Sequence, residues 1–136
     1  MAVAVIDTNI MIQALRGNPI TAKWLAALND KVILPCLIVM ELIKGCDTRE
    51  ELTRLDAFLA SYTIYWPKEE DCQRAVSIMK DNYRHGYKIG VVDALIAACA
   101  IALHAKMYTL DNDFRPVPGL KKVAPYQLPL AATISA

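Results

Sequence analysis

The sequence predicts an α/β fold, an α/β/α sandwich around a mostly parallel sheet of four or five strands. Short apolar segments rich in β-branched residues alternate with segments of helical periodicity. The strand-like segments are continuously apolar, which is typical of parallel strands covered by helices on both faces. The length of 136 residues suits a single domain covering 1–136.

The N-terminal half contains two predicted strands and four predicted helices. Asp7, Thr8 and Asn9 follow the first apolar segment and form a helix-start signal. Pro35 is tolerated in a first helical turn, and Gly45 ends the helix that follows. In chain order the elements are a strand at Val3–Ile6, helices at 10–16 and 21–28, a strand at 31–34, and helices at 37–44 and 49–60.

The C-terminal half is predicted to hold two helices and the remaining strands. The elements are a strand at 62–65, helices at 69–83 and 92–103, a strand at 106–110, and 122–124 as the fifth strand if the sheet has one. Helical spacing predicts one buried face on 69–83, made of Cys72, Ala75, Val76, Met79 and Tyr83. The segment 92–103 is apolar all round, which predicts a deeply buried helix. No order is predicted for the tail, 125–136.

The amino-acid composition and net charge limit the classes of protein to which the chain can belong. Hydrophobic residues make up 55% and charged residues 21%, which excludes a disordered chain. A net charge of +1 neither requires nor excludes a nucleic-acid partner. The four cysteines form no C-x-x-C pair, which favours buried free thiols in a reducing compartment. With no signal peptide and no apolar run of about 18 residues, we expect a cytoplasmic protein that does not enter the membrane.

Four of the fourteen acidic residues interrupt apolar segments: Asp7, Glu41, Asp93 and Asp111. A carboxylate in such surroundings needs a compensating partner, and the chain has no Lys or Arg between Lys88 and Lys106. A divalent cation can compensate several acids at once. Since ligands bind at the carboxyl ends of parallel strands, we expect the four acids to converge there.

Each acid also has a structural interpretation. Asp7 can cap the helix after it, Asp93 can stabilise a first helical turn, and Asp111 can belong to a turn. Glu41 is the exception, because a glutamate within an apolar helix has no capping role. A set of four in this order is harder to explain by structure alone.

The chain resembles the PIN-domain nucleases, and among them most of all the VapC-type toxins of prokaryotic toxin–antitoxin pairs. The motifs are Asp7-Thr8-Asn9 after an apolar strand, Glu41-Leu42 with Gly45 closing the helix, Asp93-Ala94-Leu95-Ile96-Ala97-Ala98, and Tyr108-Thr109-x-Asp111 with Phe114. The resemblance extends from about residue 3 to 123. It implies a PIN-like sandwich and a site in which Asp7, Glu41, Asp93 and Asp111 hold Mg²⁺ or Mn²⁺.

The resemblance also implies that Thr8, Asn9 and Thr109 orient the carboxylates. Two departures from the family pattern stand out. The helix bearing the glutamate begins at Pro35-Cys36, where the family often has Ser or Thr. The loop after Thr109 is about one residue short, so Asp113 is an alternative or additional metal ligand.

The activity implied by this resemblance is that of a metal-dependent endoribonuclease, the toxin of a type II toxin–antitoxin pair. Its expected partners are RNA, a cognate antitoxin that offers an Arg-bearing segment, and a second copy in a homodimer. Lys44, Arg84, Lys88 and Arg115 are candidate RNA contacts. The alternatives are a non-catalytic PIN-like module that binds protein, and a PIN-type nuclease that acts on DNA or in RNA processing.

Overall fold

A five-stranded parallel sheet organises the computed structural model of the chain, which describes residues 2–111 and 117–126. The strands are β1 (Val3–Ile6), β2 (Lys31–Pro35), β3 (Thr63–Tyr65), β4 (Lys106–Tyr108) and β5 (Lys121–Val123). Their order is β3-β2-β1-β4-β5, and every neighbouring pair is parallel. The predicted fold class is confirmed, and the fifth strand is present.

Six helices connect the strands within the described ranges: α1 (Thr8–Leu15), α2 (Pro19–Ala27), α3 (Cys36–Lys44), α4 (Arg49–Leu59), α5 (Glu69–Arg84) and α6 (Val91–Ala102). Their ends lie within two residues of the predicted ones. Local sequence explains this agreement. Pro19 occupies the first turn of α2, while the Asn18 side chain accepts hydrogen bonds from the amides of Ile20 and Thr21.

The core lies along the central strand β1 and the helix α6. Val5 and Ile6 are fully buried, as are five consecutive residues of α6, from Ile96 to Ala100. The small side chains of α6 allow close packing, so the all-apolar segment is buried as predicted. No helix within 2–111 or 117–126 is long and apolar enough to cross a membrane.

The buried face of α5 is only partly the predicted one: Ala75 is buried and Met79 half-buried, but the prediction was wrong for the other three positions. Its buried positions are Asp71, Ala75, Ile78 and Asn82, whereas Cys72, Val76 and Tyr83 are exposed. The helix is rotated so that Asp71 faces the interior, where it finds hydrogen-bond donors. Asp71 accepts hydrogen bonds from the Tyr65 hydroxyl (2.6 Å) and the Lys68 amide (2.9 Å). The Asn82 side chain donates to the Ile78 carbonyl (3.1 Å).

The cysteines are all free, as expected, but they are not all buried. Cys36 and Cys99 are buried, Cys46 is half-buried and Cys72 is exposed. The rotation of α5 explains the exposure of Cys72. Because Asp71 faces the interior, the next residue of the helix, Cys72, faces solvent.

Candidate functional site

Asp7 lies where β1 ends and α1 begins, at the carboxyl edge of the sheet. Its amide donates to the Tyr108 carbonyl of the neighbouring strand (2.9 Å), which fixes the backbone. Its Oδ1 accepts a hydrogen bond from the Thr8 amide (2.8 Å), and its Oδ2 accepts one from the Thr109 hydroxyl (2.7 Å). The residue is only 8% exposed. Asp7 therefore caps α1 with one oxygen while the other reaches across to β4.

Glu41 approaches the same edge from α3, where it is half-buried. Its Oε1 accepts a hydrogen bond of 2.6 Å from the hydroxyl of Thr8. Thr8 thus contacts two of the acids, through its amide to Asp7 and through its hydroxyl to Glu41. This contact spans 33 residues of sequence and ties α3 to the start of α1.

Asp93 lies in the first turn of α6, whose N-cap is Gly90. Gly90 provides no side chain to cap the helix, and a methyl group there would lie 3.8 Å from Oδ2 of Asp93. The Asp93 carboxylate is half-buried and accepts no hydrogen bond from any residue in 2–111 or 117–126. Its position gains from the helix dipole, yet its oxygens have no protein donor in the described part.

Asp111 follows β4 and is linked to Asp7 through one side chain. The Asp111 amide donates to Oγ1 of Thr109 (3.0 Å), and the same hydroxyl donates to Asp7. Thr109 is 4% exposed and is therefore held rigidly between the two acids. Asp113, the alternative ligand, lies outside the described residues. Asn9 is exposed and makes no side-chain hydrogen bond within them.

The four acids share one electrostatic environment, although they come from four separate elements. Burial raises the pKa of Asp93 above 3.8, and the charges of Asp7, Glu41 and Asp111 raise it further. Burial also raises the pKa of Asp7, which the hydrogen bonds from Thr109 and Thr8 partly lower. Glu41 and Asp111 again act on Asp7 to raise it. The four acids thus lie near enough to one another for their charges to interact.

No positive side chain in the part of the chain that the structure describes forms an ion pair with Asp7, Glu41 or Asp93. Among the described residues, ion pairs within 4 Å join Lys106 to Asp30 and His85 to Asp81, both away from the acidic site. The candidate RNA contacts Lys44, Arg84 and Lys88 are exposed, and Arg115 lies outside the described residues.

The described side chains of the site offer the oxygen ligands that a hard divalent cation prefers, but they do not surround a single point as a bound ion would require. Carboxylate and hydroxyl oxygens are the ligands that Mg²⁺ and Mn²⁺ prefer. Each carboxylate oxygen of Asp7 accepts one hydrogen bond and keeps a further lone pair. Within 2–111 and 117–126, however, no three acidic, His or Cys side chains converge on one point as an ion would require. The described acids therefore fit Mg²⁺ or Mn²⁺ by donor type and charge, and not by an already formed coordination geometry.

Sequence reasoning missed two features that shape the site. Gly90, which the sequence analysis does not single out, forms the uncapped start of α6 beside Asp93. A glycine directly before an apolar helix was the available signal. The contact between Thr8 and Glu41 had no local signal, because it depends on how α3 packs against α1.

Comparison with known proteins identifies the class that this fold and site define. The family model described as PIN domain matches residues 4–120, so the chain belongs to the PIN-domain family. Within that family, it is 30% identical over 123 residues to Ribonuclease VapC of Rickettsia bellii, covering 86% of this chain and 92% of that protein. It is 34% identical to Ribonuclease VapC19 of Mycobacterium tuberculosis, covering 78% of this chain and 86% of the relative.

Solved structures show the same fold. A structure of VapBC2 from Rickettsia felis bound to a DNA fragment from their promoter superposes with a TM-score of 0.80. The alignment covers 90% of this chain and 98% of the other at 23% identity. The chain is therefore a VapC-like PIN domain, as the sequence motifs predicted.

Proposed function

We propose that the chain is an endoribonuclease that hydrolyses phosphodiester bonds with Mg²⁺ or Mn²⁺ held by Asp7, Glu41, Asp93 and Asp111. One observation carries the proposal. Burial, and then the charges of three other carboxylates from three other elements, raise the pKa of Asp93, and its own oxygens have no hydrogen-bond donor among the described residues. Such an arrangement is costly for a protein alone and is compensated when a cation binds. The similarity to ribonucleases VapC supports RNA as the substrate.

The residues divide into two roles. Asp7 and Asp93 are the strongest candidates for direct ligation, while Glu41 and Asp111 complete the acidic set. Thr8 and Thr109 orient them, since Thr8 donates to Glu41 and Thr109 donates to Asp7. When bound, the divalent cation would neutralise charge on the scissile phosphate and lower the pKa of the attacking water. Asp113 remains an additional candidate ligand.

The proposal includes partners. Because structural neighbours include VapBC complexes, we infer a cognate antitoxin that occupies the acidic site. Arg is well suited to this task, since it pairs with carboxylates through two parallel hydrogen bonds. A homodimer and a cytoplasmic location complete the proposal. Co-purification with the product of the neighbouring gene is the test of the antitoxin. Failure to co-purify, combined with harmless expression of the chain alone, would contradict the toxin assignment.

The activity is tested by incubating the purified chain with total RNA, first with Mg²⁺ or Mn²⁺ and then with excess EDTA. We expect cleavage only when the metal is present, and none from the Asp7→Asn variant. A parallel incubation with the same amount of single-stranded DNA distinguishes an RNA-specific enzyme from a nuclease that acts on DNA. Full activity in excess chelator would refute the metal mechanism. Metal binding without cleavage of any RNA would instead favour the non-catalytic module.

A further inference from the structure

The edge of the sheet opposite the acidic site carries a cleft of about 290 Å³. It lies between the end of α6 and the start of β5, and α5 forms its third side. Three basic side chains line it, namely Arg74, His104 and Lys121, and no acidic side chain of the described residues does. All three are exposed to solvent, so the cleft is a local positive surface on a chain whose net charge is only +1.

The charges of Arg74 and Lys121 are not neutralised by the protein. Within 2–111 and 117–126, neither they nor His104 form an ion pair within 4 Å. Lys106, at the start of β4, differs because it lies 3.8 Å from a carboxylate oxygen of Asp30. The positive side chains of the cleft therefore remain available to an anionic ligand.

His104 occupies a backbone conformation that normally favours glycine. Its φ is +51°, and it ends α6 in a Schellman turn. In that turn the Ala105 amide donates to the Ala100 carbonyl (2.9 Å) and the His104 amide to the Ile101 carbonyl (3.0 Å). A side chain in this region costs about 1 kcal/mol relative to glycine. The fold would be as well served by glycine, so the imidazole is the feature that needs an explanation.

Helix α6 joins this cleft to the acidic site. Asp93 lies in its first turn and Ala102 is its last residue, a separation of about 14 Å at 1.5 Å per residue. Without a bound cation, a polyanion at the acidic edge would be repelled by four carboxylates, so positive groups elsewhere must supply its affinity. A single strand of several nucleotides is long enough to reach from one end of α6 to the other.

We propose that the cleft formed by Arg74, His104 and Lys121 binds a backbone phosphate of the RNA several nucleotides away from the bond that is cut. This inference rests on the proposed function, whose substrate is RNA. The cleft supplies affinity without reading the bases, because phosphate contacts position a strand and carry no sequence information. It also sets a minimum length for tight binding, since a dinucleotide at the acidic site cannot reach it.

The test measures binding of a labelled RNA of about 15 nucleotides to the full-length chain in EDTA, where no turnover occurs. The variant is Arg74→Gln with Lys121→Gln. The matched control is Lys23→Gln with Arg49→Gln, which removes the same charge from exposed positions outside the cleft. We expect about ten-fold weaker binding for the cleft variant and little change for the control. The slope of log Kd against log salt should fall by about 1.4 for two lost phosphate contacts on a single strand.

A second variant, His104→Gly, separates ligand binding from folding. Glycine suits the backbone at this position, so we expect the melting temperature to stay constant or to rise. RNA binding should nevertheless weaken by a few fold because the imidazole is lost. If His104 served only the helix end, binding would not change, and that result would count against its place in the cleft.

The outcomes distinguish this inference from the proposed function. Unchanged RNA affinity in the cleft variant, or an equal loss in the control, would overturn the cleft while leaving metal-dependent cleavage by the wild type intact. Loss of binding to poly-glutamate but not to RNA would assign the cleft to an acidic protein instead and would also overturn it. A wild type that binds RNA through the cleft but never cleaves it would refute the proposed function alone.

Discussion

Two carboxylates of this protein lie in opposite environments. Asp71, in α5, is 3% exposed and accepts hydrogen bonds from the Tyr65 hydroxyl and the Lys68 amide. Asp93, in α6, is half-buried and accepts none from the described residues, while burial and then three other carboxylates raise its pKa. The more deeply buried acid is the better satisfied one. Burial alone therefore does not distinguish a candidate functional carboxylate from a structural one, and the two acids differ instead in their donors and in the like charges around them.

The same comparison applies to the partners of each acid. Tyr65 belongs to a structural pair, in which burial and then the hydrogen bond to Asp71 raise its pKa to about 12. Its hydroxyl consequently stays protonated and keeps donating across the physiological range. At the acidic site the corresponding donors are Thr8 and Thr109, which satisfy only Asp7 and Glu41.

The largest stability effect is expected at the structural pair. Asp71→Ala leaves the Tyr65 hydroxyl and the Lys68 amide without their acceptor, which should cost about 2–4 kcal/mol of unfolding free energy. RNA cleavage per folded molecule should stay at the wild-type level, since the residue lies outside the site. Urea denaturation measures the loss. Tyr65→Phe is the control and should cost only about 1 kcal/mol. Loss of cleavage in folded Asp71→Ala would erase the distinction between the two acids.

A smaller effect is expected from the hydroxyl that joins two acids. Thr109→Val keeps the shape of the side chain but removes the donor to Asp7 and the acceptor of the Asp111 amide. We expect cleavage of RNA to fall about 10–100-fold, as for other groups that orient metal ligands. Thr53→Val is the matched control, because its hydroxyl donates only to the Arg49 carbonyl on the exposed side of α4. Comparable losses in both variants would mean that Thr109 does not orient the site.

The pH dependence of stability should differ between wild type and Asp93→Asn, by about 1 kcal/mol or less. The folded-state pKa of Asp93 is raised above 3.8, so the folded protein binds this proton more tightly than the unfolded chain. Its contribution to stability is then complete below the unfolded pKa and is lost as pH rises through the folded pKa. In EDTA, we therefore expect the advantage of Asp93→Asn at neutral pH to shrink as pH falls toward 4. Urea denaturation at each pH measures the free energy of unfolding of both proteins. A difference between them that does not change with pH would argue against repulsion at Asp93.

The fold was largely predictable because its signals are local. Each signal lies within a few residues of sequence: the apolar strands, the Asp7 cap of α1, Pro19 in the first turn of α2 and Gly45 at the end of α3. The strands and helices lie where these signals indicate. The candidate acids were found by the same means, since a carboxylate inside an apolar segment is conspicuous in any sequence.

The rest depends on partners that are distant in sequence. Periodicity could not predict that Asp71 is buried in place of Val76. The reason is that the Tyr65 hydroxyl, which donates a hydrogen bond to Asp71, belongs to β3. The Thr8 contact with Glu41 likewise follows from the packing of α3 against α1. The positive φ of His104 follows from the reversal of the chain after α6. Sequence analysis thus located the candidate acids but not the hydrogen bonds that hold or fail to hold them.

The most direct test of the central claim is to compare the melting temperatures of wild type and Asp93→Asn in EDTA at about pH 7.5, with their RNA cleavage rates measured in Mg²⁺. If Asp93 belongs to a crowded acidic site, Asn relieves repulsion. The variant should then melt at the same temperature or a few degrees higher, and it should not cleave RNA. If Asp93 only stabilises the start of α6, Asn costs up to about 1 kcal/mol and spares the activity. An active variant that melts several degrees lower would contradict the account.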